Sequence, residues 1–86
     1  MEQLHQEKGS KTKALYLQIK EIYRKKILNG ALQLGDKIES ELEIQKKYNV
    51  SRITARQAIL DLEKEGMVKR GRGKGTFVIW RPGIEE

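Results

Sequence analysis

Two short helical patterns are separated by only three residues, and that spacing restricts this chain more than any other feature. Ser40, Glu41, Leu42 and Glu43 have the form of a capping box. The Ser40 hydroxyl can accept from the Glu43 amide while the Glu43 carboxylate returns to the Ser40 amide. A short helix is predicted from there to about Tyr48, with Ile44 and Tyr48 facing inward one turn apart. Asn49 suits a left-handed position after the helix, and Val50 an apolar anchor. Ser51 then caps the next helix, which runs to about Glu65 and stops at Gly66. Its inward side is Ala55, Ala58, Ile59 and Leu62. Two short helices joined by Asn49, Val50 and Ser51 alone make a helix-turn-helix.

The flanks complete a domain. Over residues 12–29, Tyr16, Ile19, Tyr23 and Ile27 recur at spacings of one helical turn. Gly30 follows as the residue that ends this first helix. Leu15, Ile22 and Leu28 fall off the main stripe, either widening the core face or serving a second contact. Residues 31–39 read as a connector, with Gly35 and Asp36 as its turn. After the third helix come two β-prone runs, residues 67–70 and 76–80, with residues 71–75 as the turn between them. The expected fold is α+β but mainly helical: a winged helix-turn-helix, three helices followed by a two-stranded β-hairpin wing. Residues 1–11 are polar and aperiodic and are expected to form a flexible arm. Residues 12–80 form the domain, and residues 81–86 a tail or the start of a linker.

Charge narrows the function. Eighteen Lys and Arg oppose twelve Asp and Glu among 86 residues, a net charge of +6. Such a balance favours nucleic acid or another anionic surface as partner. There is no cysteine, so disulfides and thiolate metal sites are excluded. A single histidine, His5, cannot build a metal cluster and reads as a solvated arm residue. No apolar run approaches the ~20 residues of a membrane span, and no secretory signal opens the chain. A cytoplasmic protein is therefore expected, with no membrane partner, no metal, no cofactor and no catalytic residues. The carboxylates sit at helix starts or on exposed faces, where capping and solubility explain them.

The third helix offers a set of groups for reading bases. With Ala55, Ala58, Ile59 and Leu62 inward, Ile53, Arg56, Gln57 and Leu60 point the other way, and Arg52 and Thr54 flank the first turn. Arg pairs bidentately with guanine, Gln with adenine, and Ile meets a thymine methyl in the major groove. Thr54 and the free amides near Ser51 suit phosphate oxygens. Arg and Gln are also ordinary exposed helix residues; their place at the start of the second helix of a tight turn is what favours DNA.

The hairpin turn is the densest cationic run, with Lys69, Arg70, Arg72 and Lys74 around Gly71, Gly73 and Gly75. Glycine permits close approach of backbone to a surface. An arginine at such a tip can enter a narrow minor groove, the role expected of Arg72, while Lys69, Arg70 and Lys74 are expected to meet phosphates. The alternating glycines open no helix, and Gly73, Lys74, Gly75 and Thr76 lack the spacing of a phosphate loop, so neither nucleotide fingerprint applies.

The ordered set Leu15, Tyr16, Gly30, Gly35, Asp36, Ser40, Glu41, Val50, Ser51, Arg52, Thr54, Arg56, Ala58, Leu62, Gly66, Gly73, Gly75, Thr76, Phe77 and Val78 resembles the DNA-binding domain of GntR-family bacterial transcription regulators. The resemblance covers roughly residues 14–79 and is most similar to the HutC-type branch. It implies an operator-binding repressor or, less often, an activator. It implies operator contacts by Arg52, Thr54 and Arg56 from the recognition helix, positions near the DNA backbone for Ser40 and Glu41, and minor-groove entry by Arg72 and Gly73. Two positions depart from the family pattern: Glu39 stands where proline is usual, and Leu42 where a polar or basic residue is frequent. The resemblance also implies a C-terminal domain, outside this chain, that binds a small-molecule effector and dimerises.

The expected partner is thus a double-stranded DNA operator, palindromic and bound by a homodimer, since two-fold related half-sites one helical turn apart match a two-fold protein. A winged helix used for protein contact is the main alternative, although it has no need of four cations around a glycine tip. Single-stranded RNA binding would require stacking aromatics on the basic face; Tyr16, Tyr23 and Tyr48 lie on core stripes, leaving only Trp80. An enzyme lacks any nucleophile–base pair.

Overall fold

The computed structural model describes residues 14–71 and 73–82. The arm expected for residues 1–11, Arg72, and residues 83–86 of the expected tail lie outside the described residues. Three helices, α1 (Leu15–Leu28), α2 (Glu41–Tyr48) and α3 (Arg52–Lys64), and three short strands, β1 (Lys37–Ile38), β2 (Val68–Gly71) and β3 (Gly75–Val78), follow in the order α1-β1-α2-α3-β2-β3.

Each helix begins and ends where local chemistry dictates. The capping box at α2 is complete, with the Ser40 hydroxyl accepting from the Glu43 amide at 3.1 Å and the Glu43 carboxylate accepting from the Ser40 amide at 2.9 Å. Asn49 closes α2 in the left-handed region, φ 55° and ψ 53°, and its amide donates to the Gln45 carbonyl. Asn tolerates that conformation better than other residues with a Cβ. Ser51 caps α3 by accepting from the Thr54 amide at 3.1 Å. Gly30, at φ 89°, follows the end of α1.

Both other helices pack on α3. Ala55 and Ala58 are fully buried there, and their short side chains let helices approach closely; Ile59 and Leu62 fill the space on either side. Ile19, Tyr23 and Ile27 enter from α1, Ile44 and Tyr48 from α2, Ile38, Val68 and Val78 from the strands, and Met67 from just ahead of β2. Of the off-stripe residues, Ile22 packs against this core while Leu28 is exposed.

Polar links join the helices around the core. The Tyr23 hydroxyl donates to Glu39 just ahead of α2, and Lys47 Nζ lies 3.5 Å from the same carboxylate. Glu39 therefore substitutes a polar tie to α1 for the stiffness that proline would give at this position. Burial pushes its carboxyl up, but the Tyr23 donor, a backbone amide and Lys47 outweigh that and hold it below the usual value. On the other side of α1, Lys20 pairs with Glu65 at 2.6 Å and Arg24 lies 3.6 Å from it. The Glu65 contact raises the Lys20 ammonium above its usual value despite partial burial.

The sheet corrects one expectation. The expected two-stranded hairpin of β2 and β3 is present, and a third strand joins it to give an antiparallel sheet in the order β1-β3-β2. Residues 37–38, expected as connector, pair with β3, placing Lys37 opposite Phe77 and Ile38 opposite Thr76. A two-residue strand has too few residues for a period-2 pattern; its existence depends on an edge of β3 left open by β2. The β2–β3 register places Val68 opposite Val78 and Lys69 opposite Phe77. Paired side chains share a face, so Val68 and Val78 form a core-facing row, while Lys37, Phe77 and Lys69 form a row on the outer face.

Candidate nucleic-acid interface

The outward side of α3 carries the expected groups. With four of its side chains fully buried or nearly so on the inner side, the 3.6-residue repeat turns Arg52, Ile53 and Arg56 to solvent. Ile53 is 79% exposed. The Arg52 side chain is 74% exposed, with only a long 3.9 Å approach from Nε to Glu41. Arg56 is exposed and has no ion pair among those found between described residues. Gln57 is half-buried and donates through its amide to Asp61 at 2.8 Å, so one of its hydrogen-bonding groups is already committed. Ser51 and Thr54 are coupled, the Ser51 hydroxyl donating to Thr54 Oγ1 at 3.0 Å. Leu60 is half-buried.

A second cluster gathers where α2, α3 and the wing meet. Glu41 Oε2 lies 3.2 Å from Arg70 Nη1, while Arg70 Nε lies 3.6 Å from Glu63 Oε1. The Arg70 amide also donates to Glu63 Oε2 at 3.2 Å. Arg70 is thus drawn back to two carboxylates and ties the wing to both helices of the motif. Lys69 and Lys74 are likewise exposed on the hairpin, with no ion pair found between described residues. Ser40, Glu41, Leu42, Gln45 and Arg52 border an open cleft of about 440 Å³ at the starts of α2 and α3. Leu42, the position where the family pattern is frequently polar, is 58% exposed on its wall.

The structure therefore brings Ser40, Glu41, Ser51, Arg52, Thr54 and Arg70 around the two helix starts. It places Lys69, Gly73 and Lys74 on the hairpin. Arg72, expected to enter the minor groove, lies outside the described residues. Lys37 lies in a segment whose sequence has the pattern of a connector. Its signal was the β-branched Ile38 beside it, which alone is too little to announce a strand. Tyr23 and Tyr48 are buried and Tyr16 and Trp80 pack against the core, which leaves the half-buried Phe77 on the outer face of the sheet, one ring and not a base-stacking platform. Among the described residues, no group of three or more His, Asp or Glu could hold a metal ion. No helix among them is long and apolar enough to cross a membrane.

A tight helical pair whose second member shows arginines to solvent, with a cationic glycine hairpin beside it, defines the class: a winged helix-turn-helix of the DNA-binding kind. Residues 15–78 match the model of the "Bacterial regulatory proteins, gntR family", and the chain belongs to that family of regulators. It is 51% identical over 70 residues to the uncharacterized HTH-type transcriptional regulator YurK of Bacillus subtilis (strain 168), covering 81% of this chain and 28% of that protein. It is 40% identical over 72 residues to the HTH-type transcriptional repressor NagR of the same organism, covering 84% and 29%. The chain thus spans less than a third of the length of these relatives. Among solved structures, the DNA-binding domain of AraR in complex with operator ORX1 superposes with a TM-score of 0.84 at 37% identity, covering 91% of this chain and 95% of that one. A GntR family transcriptional regulator from Listeria monocytogenes superposes at 0.75 with 28% identity, covering 83% and 62%.

Proposed function

We propose that this chain is the DNA-binding module of a cytoplasmic transcription repressor, and that it reads a palindromic duplex operator as one half of a dimer. The observation that carries the reading is the two-sidedness of α3. Its inner side is fully buried against both other helices, while Arg52, Ile53 and Arg56 stand in solvent at its N-terminal end. In the major groove, Arg52 and Arg56 would donate to guanine O6 and N7, Ile53 would meet a thymine methyl, and Gln57 would use its remaining amide capacity on adenine. Ser40, Ser51 and Thr54, at two helix starts, would face phosphates. Lys69 and Lys74 would hold the flanking backbone while Arg72 and Gly73 enter the minor groove. Glu41 and Arg70 act on this surface indirectly, by holding Arg52 and the wing in place.

The AraR–operator complexes and the repressor NagR support this reading. A C-terminal domain that dimerises and takes a small-molecule effector belongs to the same proposal. One module alone then grips a single half-site, and dimerisation supplies the second.

Selection of bound duplexes from a random pool tests it. The wild-type chain is expected to enrich a half-site containing guanine, with affinity falling steeply as salt rises. Arg56→Ala is expected to cost about 1–3 kcal/mol and to relax preference at one base pair. Recovery of an identical motif with Arg56→Ala would remove α3 from the groove. Absence of any salt-dependent duplex binding by the wild type would instead favour a winged helix that meets protein.

A further inference from the structure

We infer that Lys37, on the strand absent from the sequence reading, is a DNA-phosphate contact of the wing, delivered there by the missing side chain of Gly75. The inference rests on the duplex-binding reading above and extends its surface by one strand.

The geometry begins with register. Lys37 lies directly opposite Phe77, and Lys69 lies opposite Phe77 from the other side. Directly opposed residues in antiparallel strands project to the same face, so Lys37 and Lys69 emerge on either side of Phe77 on the outer face of the sheet. Lys37 and Lys69 are exposed, and Phe77 is half-buried between them. The Lys37 side chain does not stand straight out from the sheet. It crosses diagonally to Gly75, two residues from Phe77 toward the hairpin tip. A Cβ on Gly75 would sit 2.6 Å from Lys37 Cε, 3.4 Å from Cδ and 3.5 Å from Nζ. The aliphatic stem thus occupies the space that any other residue at position 75 would fill. The ammonium comes to rest at the base of the turn that carries Gly73 and Lys74.

Gly75 has φ 113°, a conformation that glycine adopts without strain. One glycine therefore serves the turn and makes the groove in which Lys37 lies. The nearest acidic residue in sequence, Asp36, has its carboxylate turned the other way, accepting from the Gln33 amide at 2.8 Å. No ion pair to Lys37 is found between described residues. An unpaired ammonium held over a glycine hairpin suits a phosphate oxygen, which a lysine contacts as a point charge without base preference.

Salt titrations on a mixed-sequence duplex, with no selected operator, test the inference. Lys37→Met keeps the alkyl stem over Gly75 and removes the charge, so its melting temperature should match the wild type. The slope of log affinity against log salt should flatten by about 0.9, the value for one phosphate contact, and Lys37→Arg should restore it. Lys25→Met removes the same charge from the solvent side of α1 and should leave the slope unchanged. A Lys37→Met slope equal to that of the wild type, or a change no larger than that of Lys25→Met, overturns the inference while leaving duplex binding intact. A wild type without salt-dependent binding removes the inference together with the reading beneath it.

Discussion

Tyr23→Phe should destabilise this domain, and the loss should fade in acid. The ring of Tyr23 is buried between α1 and α2 and meets Tyr48 edge-on, with centroids 6.4 Å apart and planes at 80°. Phenylalanine keeps that ring, so the substitution isolates the hydroxyl that donates to Glu39. Burial and the Glu39 carboxylate together push the phenol well above its usual value, so it stays a donor at neutral pH and in acid. A hydrogen bond to a charged group contributes about 1.5–3 kcal/mol. The Glu39 side chain is 37% exposed, so water and Lys47 recover part of that on substitution, leaving about 1–1.5 kcal/mol. For a domain of this size the melting temperature should fall by about 5–10 °C near neutral pH.

The pH dependence follows from the direction of the Glu39 shift. Its folded carboxyl lies below the ordinary value of 4.5. Its contribution is therefore complete above that value and is lost as pH falls through the folded one. In Tyr23→Phe a chief cause of the lowering is gone. The gap between the two proteins should be constant near neutrality and shrink as pH falls below 4.5. Thermal melts followed by circular dichroism measure both effects. Coincident melts at neutral pH, or a gap as wide in acid as at neutrality, would refute the charge-assisted tie between α1 and the start of α2.

Two further substitutions probe the helix starts. Ser40→Ala removes one half of the capping box and should cost about 1 kcal/mol, whereas Ser40→Gly should cost only a few tenths; equal losses in chemical denaturation would show that the cap is not what stabilises α2. Glu41→Gln should change stability by less than about 1 kcal/mol, because its pairs are partly exposed. It frees Arg52 and Arg70, so affinity for unselected duplex should rise at low salt while discrimination in a selection experiment narrows. An unchanged selected motif would show that Glu41 does not orient Arg52.

The chain alone determined whatever depends on neighbours within about one helical turn. Ser40 with Glu43, Asn49, Ser51 and the alternation of buried and exposed positions along α3 are local, and each appears where the residues require it. The outward set on α3 was legible for the same reason: once Ala55, Ala58, Ile59 and Leu62 are buried, helical geometry leaves Arg52, Ile53 and Arg56 no other side. Only the folded molecule decided the contacts between distant segments. Tyr23 meets Glu39 across sixteen residues, and Arg70 meets Glu41 across twenty-nine. In both cases a polar group chooses its partner after packing has placed it. The same holds for β1, where two residues become a strand because β3 offers an unpaired edge, and for Lys37, whose position is set by the absence of a side chain at Gly75. A backbone edge and a missing Cβ leave no periodic signature in a sequence, so their consequences exist only in three dimensions.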